Sequence, residues 1–215
     1  MPLCDRVLDV IARTKGFMPI AEGEALHDAV AVALAAVPDG PIIEVGSYCG
    51  LSTLWLGAAT SAAGATLVTV DHHRGSEEIQ PGWEHHDPDV VDARTGRMDT
   101  LPFLRRSLED AGLEDDVIVV VGRSAEVGRL MTAGRPGFAS MVFIDGGHGD
   151  ELARIDHDVW TPAVAPGGVL AIHDVHPDPA TGGRPPYERI YRPAVESGAF
   201  VEIGAVGSLR LLRRV

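Results

Sequence analysis

The sequence predicts an α/β fold with a Rossmann-like, doubly wound and mostly parallel sheet that ends in an antiparallel hairpin. From residue 41 onward, short apolar runs rich in β-branched residues alternate with stretches of helical apolar spacing. Continuous apolar runs are typical of strands that are covered on both faces, as in a parallel sheet. Their alternation with helices indicates the doubly wound arrangement. This rhythm changes near the C-terminus, where two strand-like runs follow each other directly.

The elements are predicted in chain order, beginning with an N-terminal helical layer over residues 1–38. In that layer, residues 21–37 have helical apolar spacing. The five strand-like runs that follow each end in Gly or Asp: residues 41–46 (PIIEVG), 66–71 (TLVTVD), 117–122 (VIVVVG), 140–145 (SMVFID) and 168–174 (GVLAIHD). Four segments between and after these runs are predicted as helices: residues 51–63, 101–111, 125–133 and 150–164.

The C-terminal runs, residues 199–206 and 209–213, predict the antiparallel hairpin. Gly207-Ser208 separates them, and a Gly-X pair suits a two-residue hairpin turn. Two other segments fit no regular element, and both follow a strand end, where functional loops of α/β sheets gather. They are an acidic, His-rich insertion at residues 72–97 and a substrate-side loop at residues 175–190.

Composition limits the class of function. The length of 215 residues predicts a single domain over residues 1–215. A net charge of −13 makes nucleic acids and anionic membranes poor partners and favours neutral or cationic small molecules. The two cysteines, Cys4 and Cys49, suggest no disulfide framework. No apolar run is long enough to span a membrane, and charges occur throughout residues 1–16, so we expect a soluble, cytoplasmic protein.

Three strand ends indicate a nucleoside site. Residues 44–53 (EVGSYCGLST) join the first strand to a helix, and small residues there let the backbone approach a ligand. Gly46 and Gly50 are four residues apart and Tyr48 lies between them, which weighs against the GxGxxG pattern of NAD sites. Asp71 ends the next strand, where an acid can accept hydrogen bonds from ribose hydroxyls, and residues 121–125 (VGRSA) are placed to flank an adenine. The alternative is that these residues only form turns and helix caps.

These motifs resemble class I S-adenosylmethionine-dependent O-methyltransferases, most closely the divalent-metal-dependent, catechol O-methyltransferase-like branch. The resemblance covers about residues 15–175 and the terminal hairpin. It implies that S-adenosylmethionine is the cofactor, with Gly46, Tyr48 and Ser52 along its methionine part. It also implies that Asp71 holds the ribose and that Ser124 and Ala125 lie near the adenine. Residues 15–26 resemble the segment that covers the methionine end, which adds Phe17 and Met18 as candidates. The remaining expected cofactor-binding residues are Glu44, Gly122 and Asp145.

A second group of residues predicts the chemistry. Asp145, His173 and Asp174 follow what should be neighbouring strands, and carboxylates with imidazole and water can hold Mg²⁺ or Mn²⁺. The resembling enzymes carry Asp-Asn or Asp-Asp where this chain has His173-Asp174. They also place a lysine base three residues after the first metal-binding Asp, and here that position is His148. The resemblance therefore implies His148 as the general base, since a neutral imidazole can accept a hydroxyl proton near pH 7.

Alternative interpretations of this group remain open. Asp145 and Asp174 could cap helices while His148 lies in a solvated loop, or the cofactor could bind without a metal. A zinc site in the insertion is not favoured, because its histidine pairs lack structural-zinc spacing and no cysteine lies nearby. Those pairs are His72-His73 and His85-His86. Aromatic side chains that could line an acceptor site are Trp83, Tyr187 and Tyr191.

The predicted function is a Mg²⁺-dependent O-methyltransferase that acts on a small hydroxylated acceptor. The His148 and His173-Asp174 pattern resembles bacterial enzymes that methylate sugar hydroxyls, so a sugar or oligosaccharide is the expected acceptor. The alternatives are a catechol or phenolic acceptor, a hydroxylase-like enzyme, and a non-catalytic cofactor-binding protein. Many relatives pair through N-terminal helices, and the apolar residues 29–37 predict a homodimer.

Overall fold

The computed structural model describes residues 3–76, 80, 82 and 86–215. Seven helices and nine strands are assigned within this part of the chain. The helices are α1 (Asp5–Ile11), α2 (Ile20–Ala36), α3 (Leu51–Ala63), α4 (Leu101–Ala111), α5 (Ser124–Thr132), α6 (Asp150–Trp160) and α7 (Arg192–Glu196). The strands are β1 (Ile42–Val45), β2 (Leu67–Asp71), β3 (Val91–Asp92), β4 (Arg97–Met98), β5 (Val117–Val121), β6 (Ala139–Ile144), β7 (Val164–Ile172), β8 (Phe200–Val206) and β9 (Leu209–Arg214).

Seven of these strands form one sheet in the order β5-β2-β1-β6-β7-β9-β8. The pairs among β5, β2, β1, β6 and β7 are parallel, and β9 runs antiparallel to both β7 and β8. The order reverses at β1, so the ends of β1, β2 and β6 lie together at the point where α/β sheets bind ligands. The predicted fold class is confirmed, including the hairpin that closes the sheet.

Two apolar layers cover the sheet, one on each face. On one face α2 and α3 pack against the strands around the buried side chains of Leu26, Trp55 and Phe143, and α1 and α4 pack onto α3. On the other face the core contains Trp160 of α6 together with Ile190 and Ala194 near the C-terminus. Burial on both faces explains why the central strands are continuously apolar instead of alternating.

The structure differs from the predicted elements at several boundaries. Helix α6 ends at Trp160, four residues earlier than predicted, because a 3₁₀ turn at Thr161–Ala163 leads directly into β7. The insertion carries a small second sheet formed by β3 and β4. The substrate-side loop contains a π-helical turn, Pro186–Tyr191, that runs into α7. Helix α1 was not predicted either, since seven residues hold too few turns to establish a period.

Among the described residues, no helix is long and apolar enough to cross a membrane.

Candidate active site

The turn between β1 and α3 brings the backbone close to the end of β6. Gly46 has a φ of +91°, and a Cβ at this position would lie 2.1 Å from the backbone oxygen of Asp145. A side chain is therefore excluded both by conformation and by space. Tyr48 also has a positive φ, +46°, and its ring contacts that of Phe17 with centroids 5.7 Å apart. The turn thus adopts a strained backbone of the kind that is typical of ligand sites.

Asp71, at the end of β2, holds this turn. Its Oδ2 accepts hydrogen bonds from the backbone N–H groups of Ser47 and Tyr48, each at 3.0 Å. Its Oδ1 accepts from the backbone N–H of His73 at 2.7 Å. The carboxylate predicted to bind ribose therefore lies directly beside the turn, and its position is fixed by three backbone donors.

Glu44 connects β1 to the first turn of α3. Its side chain is fully buried, and it accepts hydrogen bonds from the hydroxyls of Ser52 and Thr53, both at 2.6 Å. Burial raises the pKa of Glu44 to about 7, although the two hydroxyl donors lower it. The predicted cofactor residues Glu44 and Ser52 are thus hydrogen-bonded to each other below the turn.

The predicted adenine-flanking residues lie at the start of α5, after β5. The backbone N–H of Gly122 donates to the backbone oxygen of Asp71 at 3.0 Å, which joins this strand end to that of β2. The Ser124 hydroxyl donates to Asp156 of α6 and accepts from Nε1 of Trp160 at 2.8 Å. Burial raises the pKa of Asp156 to about 6. Ser124 and its neighbour Ala125 are therefore held against α6.

The segment before α2 is tied to the insertion by Lys15, the only lysine in the chain. Its Nζ lies 2.5 Å from Oδ2 of Asp87 and 2.9 Å from Oδ2 of Asp89. Hydrogen bonding to Lys15 holds the pKa of Asp87 below its ordinary value. The predicted cover of the cofactor, which includes Phe17, is thereby joined to the base of the insertion.

On the other side of β6, two carboxylates and an imidazole converge. Ligand atoms of Asp145, His148 and Asp174 all lie within 4.8 Å of one another, and all three residues are half-buried. Nε2 of His148 lies 3.1 Å from Oδ2 of Asp174. Asp174 has a φ of +53°, which turns its side chain toward this group immediately after β7. We call these three residues the acidic cluster.

His173 lies beneath the acidic cluster and is 4% exposed. Its Nδ1 is 3.2 Å from Oδ1 of Asp145 and 3.3 Å from Oδ2 of Asp174, while its Nε2 is 2.5 Å from Oε2 of Glu22. Burial alone would lower the pKa of His173, but the three carboxylates outweigh it and raise the pKa. Burial likewise would raise the pKa of Asp174, but its contacts with His148 and His173 hold that pKa well below its ordinary range.

The structure therefore groups the predicted residues differently from the sequence-based prediction. A histidine that binds a metal must direct a nitrogen lone pair at the ion, and both ring nitrogens of His173 face carboxylate oxygens. His148 occupies the third position of the cluster instead. Asp145 and Asp174 lie together, as expected for residues at the ends of neighbouring strands.

A small cleft opens at the acidic cluster. Polar side chains and two residues of the π-helical turn, Pro186 and Ile190, line it. The π-helical turn is itself typical of functional sites. The cleft's polar lining comprises Asp145, His148, Asp156 and His173.

Of the aromatic residues predicted to line an acceptor site, Tyr187 and Tyr191 also pack within the fold. Tyr187 and Tyr191 stack with ring centroids 5.7 Å apart, and both pack against the apolar core below α7. The Tyr191 hydroxyl donates to Glu202 of β8 at 2.8 Å. Trp83 and His85 lie outside the described residues.

His72 and His73 have partners that differ from those of a zinc site. Nδ1 of His72 accepts from the backbone N–H of Arg74 at 3.0 Å. His73 is buried, its Nδ1 lies 2.8 Å from the hydroxyl of Thr100, and burial lowers its pKa. The two imidazoles are therefore engaged in the local folding of the insertion.

Sequence analysis missed Glu22, Ser208 and Asp156. Glu22 lies on the buried face of α2, four residues before Leu26, and a carboxylate at an apolar helical position is the signal that could have identified it. Asp156 carries the same signal on α6, where it is buried beside Ala153 and Trp160. Ser208 gives no local signal, because its role depends on the hairpin reaching α2.

Comparison with known proteins agrees with this geometry. Among solved structures, the chain is similar to an O-methyltransferase from Bacillus cereus in complex with SAH, with a TM-score of 0.67, 17% identity, and coverage of 100% of this chain and 93% of that one. It is also similar to the O-methyltransferase TomG from Streptomyces achromogenes, in complex with SAM, with a TM-score of 0.59, 21% identity, and coverage of 99% and 90%. For the O-methyltransferase NovP the TM-score is 0.68 at 16% identity, with coverage of 91% and 80%.

These structural likenesses concern the fold. A family described as a methyltransferase domain matches residues 43–175, which is more than half of the chain and includes both the turn between β1 and α3 and the acidic cluster. The family predicted from the sequence is confirmed, and the chain belongs to this methyltransferase family.

Proposed function

We propose that this protein transfers a methyl group from S-adenosylmethionine to a hydroxyl of a small acceptor. The observation that carries the proposal is the pairing of His148 with Asp174, 3.1 Å apart, beside Asp145 at the cleft. A base and an oriented carboxylate at the ligand-binding edge of such a sheet are what removal of a hydroxyl proton requires.

The turn at Gly46 and Asp71 supports S-adenosylmethionine as the methyl donor. Backbone and carboxylate groups gather there without the spacing that a pyrophosphate needs, so an adenosine with no phosphate suits the turn. The similar proteins from Bacillus cereus and Streptomyces achromogenes were solved with SAH and SAM, respectively. The net charge of −13 also suits a donor that carries a sulfonium cation.

The acidic cluster suits a divalent cation, and we propose Mg²⁺ or Mn²⁺. The carboxylates of Asp145 and Asp174 have ligand atoms within 4.8 Å of each other, and carboxylate oxygens are donors of the kind that these ions prefer. When bound, such a cation lowers the pKa of a coordinated hydroxyl. Asp145 and Asp174 are the residues that would hold it.

His148 is assigned as the base. Its imidazole takes the proton that leaves the acceptor hydroxyl while the new carbon–oxygen bond forms and the carbon–sulfur bond of the donor breaks. The Asp174 carboxylate then stabilises the resulting imidazolium at 3.1 Å. Asp145, at the end of β6, lies next to Gly46. The acidic cluster is therefore adjacent to the turn proposed to bind S-adenosylmethionine.

We propose a sugar hydroxyl as the acceptor. The acceptor would meet the small cleft at the acidic cluster, which has Asp145, His148 and Asp156 in its wall. The cleft's polar, acidic lining favours a neutral, hydroxyl-rich ring over an anionic ester. This choice also rests on the resemblance of the His148 and His173-Asp174 pattern to sugar-modifying enzymes.

Methyl transfer from labelled S-adenosylmethionine to a panel of acceptors tests the proposal. The panel contains short mannosides and other sugars, macrolides and catechols, each with Mg²⁺ and with EDTA. We expect transfer to a sugar that EDTA abolishes. We also expect His148→Ala to lower kcat by about 10² to 10⁴-fold, the usual contribution of a general base. His157→Ala, on α6 outside the cluster, is the matched control and should retain wild-type turnover.

Each part of the proposal has its own contrary result. Turnover that EDTA leaves unchanged would contradict the cation, and transfer to catechols alone would contradict the sugar. Wild-type turnover in His148→Ala would contradict the base. Tight binding of S-adenosylhomocysteine without transfer to any acceptor would contradict catalysis on this panel and favour a cofactor-binding protein.

A further inference from the structure

A third carboxylate, outside the acidic cluster, holds His173 from the far side. Glu22 on α2 is 3% exposed, and its Oε2 lies 2.5 Å from Nε2 of His173. The other nitrogen of the ring faces Asp145 and Asp174 at 3.2 and 3.3 Å. The imidazole therefore connects Glu22 to both carboxylates of the cluster.

The C-terminal hairpin holds Glu22 in turn. The backbone N–H of Ser208 donates to Oε1 of Glu22 at 2.6 Å, and the Ser208 hydroxyl lies 3.2 Å from the same oxygen. Gly207 has a φ of +52°, and a Cβ at this position would lie 2.0 Å from Oε1 of Glu22. The hairpin turn can approach the carboxylate only because glycine occupies this position. The hairpin therefore holds Glu22, and Glu22 holds the His173 imidazole.

A purely structural contact would not require a carboxylate here. The same face of α2 carries Leu26, Ala29 and Ala33, all buried in the apolar core. A buried carboxylate loses its hydration, and an apolar residue of similar volume is often no less stabilising than a buried ion pair. Stability alone therefore does not account for an acid here, whereas its contact with His173 does.

We propose that Glu22 is a positioning residue, which acts with the Ser208 turn to fix the His173 ring and, through it, the spacing of the Asp145 and Asp174 carboxylates. Without a fixed donor between them, two neighbouring carboxylates repel each other and separate. The kinetic part of this inference rests on the proposed methyl transfer. The structural part, that Glu22 fixes the His173 ring, does not depend on methyl transfer. The two parts can therefore fail separately.

Glu22→Gln is the first test, with Glu24→Gln as its matched control. Glu24 lies on the same helix but is exposed, so the control makes the same change of charge without touching His173. We expect Glu22→Gln to lower kcat by about 10 to 100-fold, the usual effect of removing a residue that orients ligating groups. The KM for S-adenosylmethionine should stay within about twofold. A raised KM with unchanged kcat would overturn the proposal, because it would assign Glu22 to cofactor binding.

A double-mutant cycle tests whether Glu22 acts through His173. If it does, Glu22→Gln should cost nothing further in a His173→Gln background, and the double variant should match His173→Gln within about twofold. Losses that multiply would mean that the two residues act independently, which would overturn the proposal. If Glu22→Gln lacks a cooperative unfolding transition, Glu22→Asp replaces it in the double-mutant cycle. This variant keeps the charge and shortens the side chain.

A spectroscopic readout requires no turnover. In ¹⁵N-histidine-labelled protein, the Nε2–H proton of His173 should exchange slowly with solvent, and it can be assigned by its absence in His173→Gln. We expect its exchange to become at least about tenfold faster in Glu22→Gln and to stay unchanged in Glu24→Gln. Equal exchange rates in all three proteins would overturn the proposal, whatever the enzyme methylates. If no methyl transfer is found at all, the exchange rates still decide whether Glu22 fixes the His173 ring.

Discussion

Asp156 is a carboxylic acid in the wall of the cleft whose hydrogen-bonding side chain partner is Ser124. It is 5% exposed, and burial raises its pKa from 3.8 to about 6. A pKa that is higher in the folded state than in the unfolded state means that the folded chain holds the proton more tightly. The protonated form therefore adds stability that is complete below about pH 4 and is lost as the pH rises through about 6.

This shift gives a prediction for Asp156→Asn. A difference of about 2 pKa units corresponds to about 3 kcal/mol of unfolding free energy, which the wild type loses as Asp156 deprotonates. Asparagine has no proton to lose, so the variant should not show this pH-dependent loss. In urea unfolding, the unfolding free energy of the variant should rise relative to that of the wild type between pH 4 and pH 7. The matched control is Asp158→Asn, which makes the same change at an exposed acid of the same helix, and Asp156→Asn should gain more stability than this control over that pH range. A constant offset for Asp156→Asn would contradict the assignment.

Site residues could be predicted from the sequence where a short local pattern, such as the end of a strand, identifies them. Gly46, Asp71, Asp145 and Asp174 each lie at the end of a strand or within two residues after it, and strand ends can be identified from short apolar runs. The role of His173 could not be predicted in the same way. Its partner Glu22 is 151 residues away, and only the folded chain shows that both ring nitrogens face carboxylates.

At the scale of elements, the insertion is anchored to the N-terminal segment by Lys15. The lysine is 34% exposed at its side chain, and pairs with this exposure contribute at most about 1 kcal/mol to global stability. Its effect should therefore be local. It joins the segment before α2 to the 3₁₀ turn at Pro88–Val90, next to the strained Tyr48.

Lys15→Ala should loosen the insertion without unfolding the domain. We expect faster amide hydrogen exchange in residues 88–99, measured by mass spectrometry, with a change of at most about 1 kcal/mol in global unfolding free energy. Arg13→Ala removes a comparable pair, with Asp110 on α4, and should leave exchange in residues 88–99 unchanged. The same acceleration in both variants, or none in either, would contradict an anchoring role for Lys15.

Elements with a clear period were predicted within a few residues, and short or irregular ones were missed. The predicted helix at residues 21–37 corresponds to α2, and the five parallel strands were all found. The π-helical turn was not expected, because five-residue hydrogen bonding leaves no distinct apolar period. The early end of α6 at Trp160 also escaped prediction, since the apolar spacing continues through the turn into β7.

At the scale of the whole molecule, α2 divides its apolar surface between the core and solvent. Ala29, Val30 and Ala33 are buried within the chain, so a dimer through residues 29–37 would use the other residues of this segment. The outward face of the same helix still exposes Val32, at 41%, together with neighbouring alanines. This face is the one left for pairing.

We predict a homodimer that pairs through the outward face of α2. Light scattering after size-exclusion chromatography should give twice the chain mass of 22.7 kDa. Val32→Glu should convert the dimer to a monomer, because it places a charge in the centre of an apolar contact. Leu130→Glu, at a more exposed apolar position on α5, is the control and should leave the mass unchanged. A wild-type mass equal to that of one chain would contradict the prediction.

The contact between Glu22 and Ser208 also has a consequence for synthesis. The two residues are 186 positions apart, which corresponds to about 10 to 40 s of translation at ordinary rates. During that interval α2 has left the ribosome with its carboxylate, but the hairpin that holds this carboxylate has not been made. Glu22 then lacks the donor that fixes it against His173. The nascent chain can build most of its sheet while it is translated, and it acquires an ordered acidic cluster only after the last strands emerge.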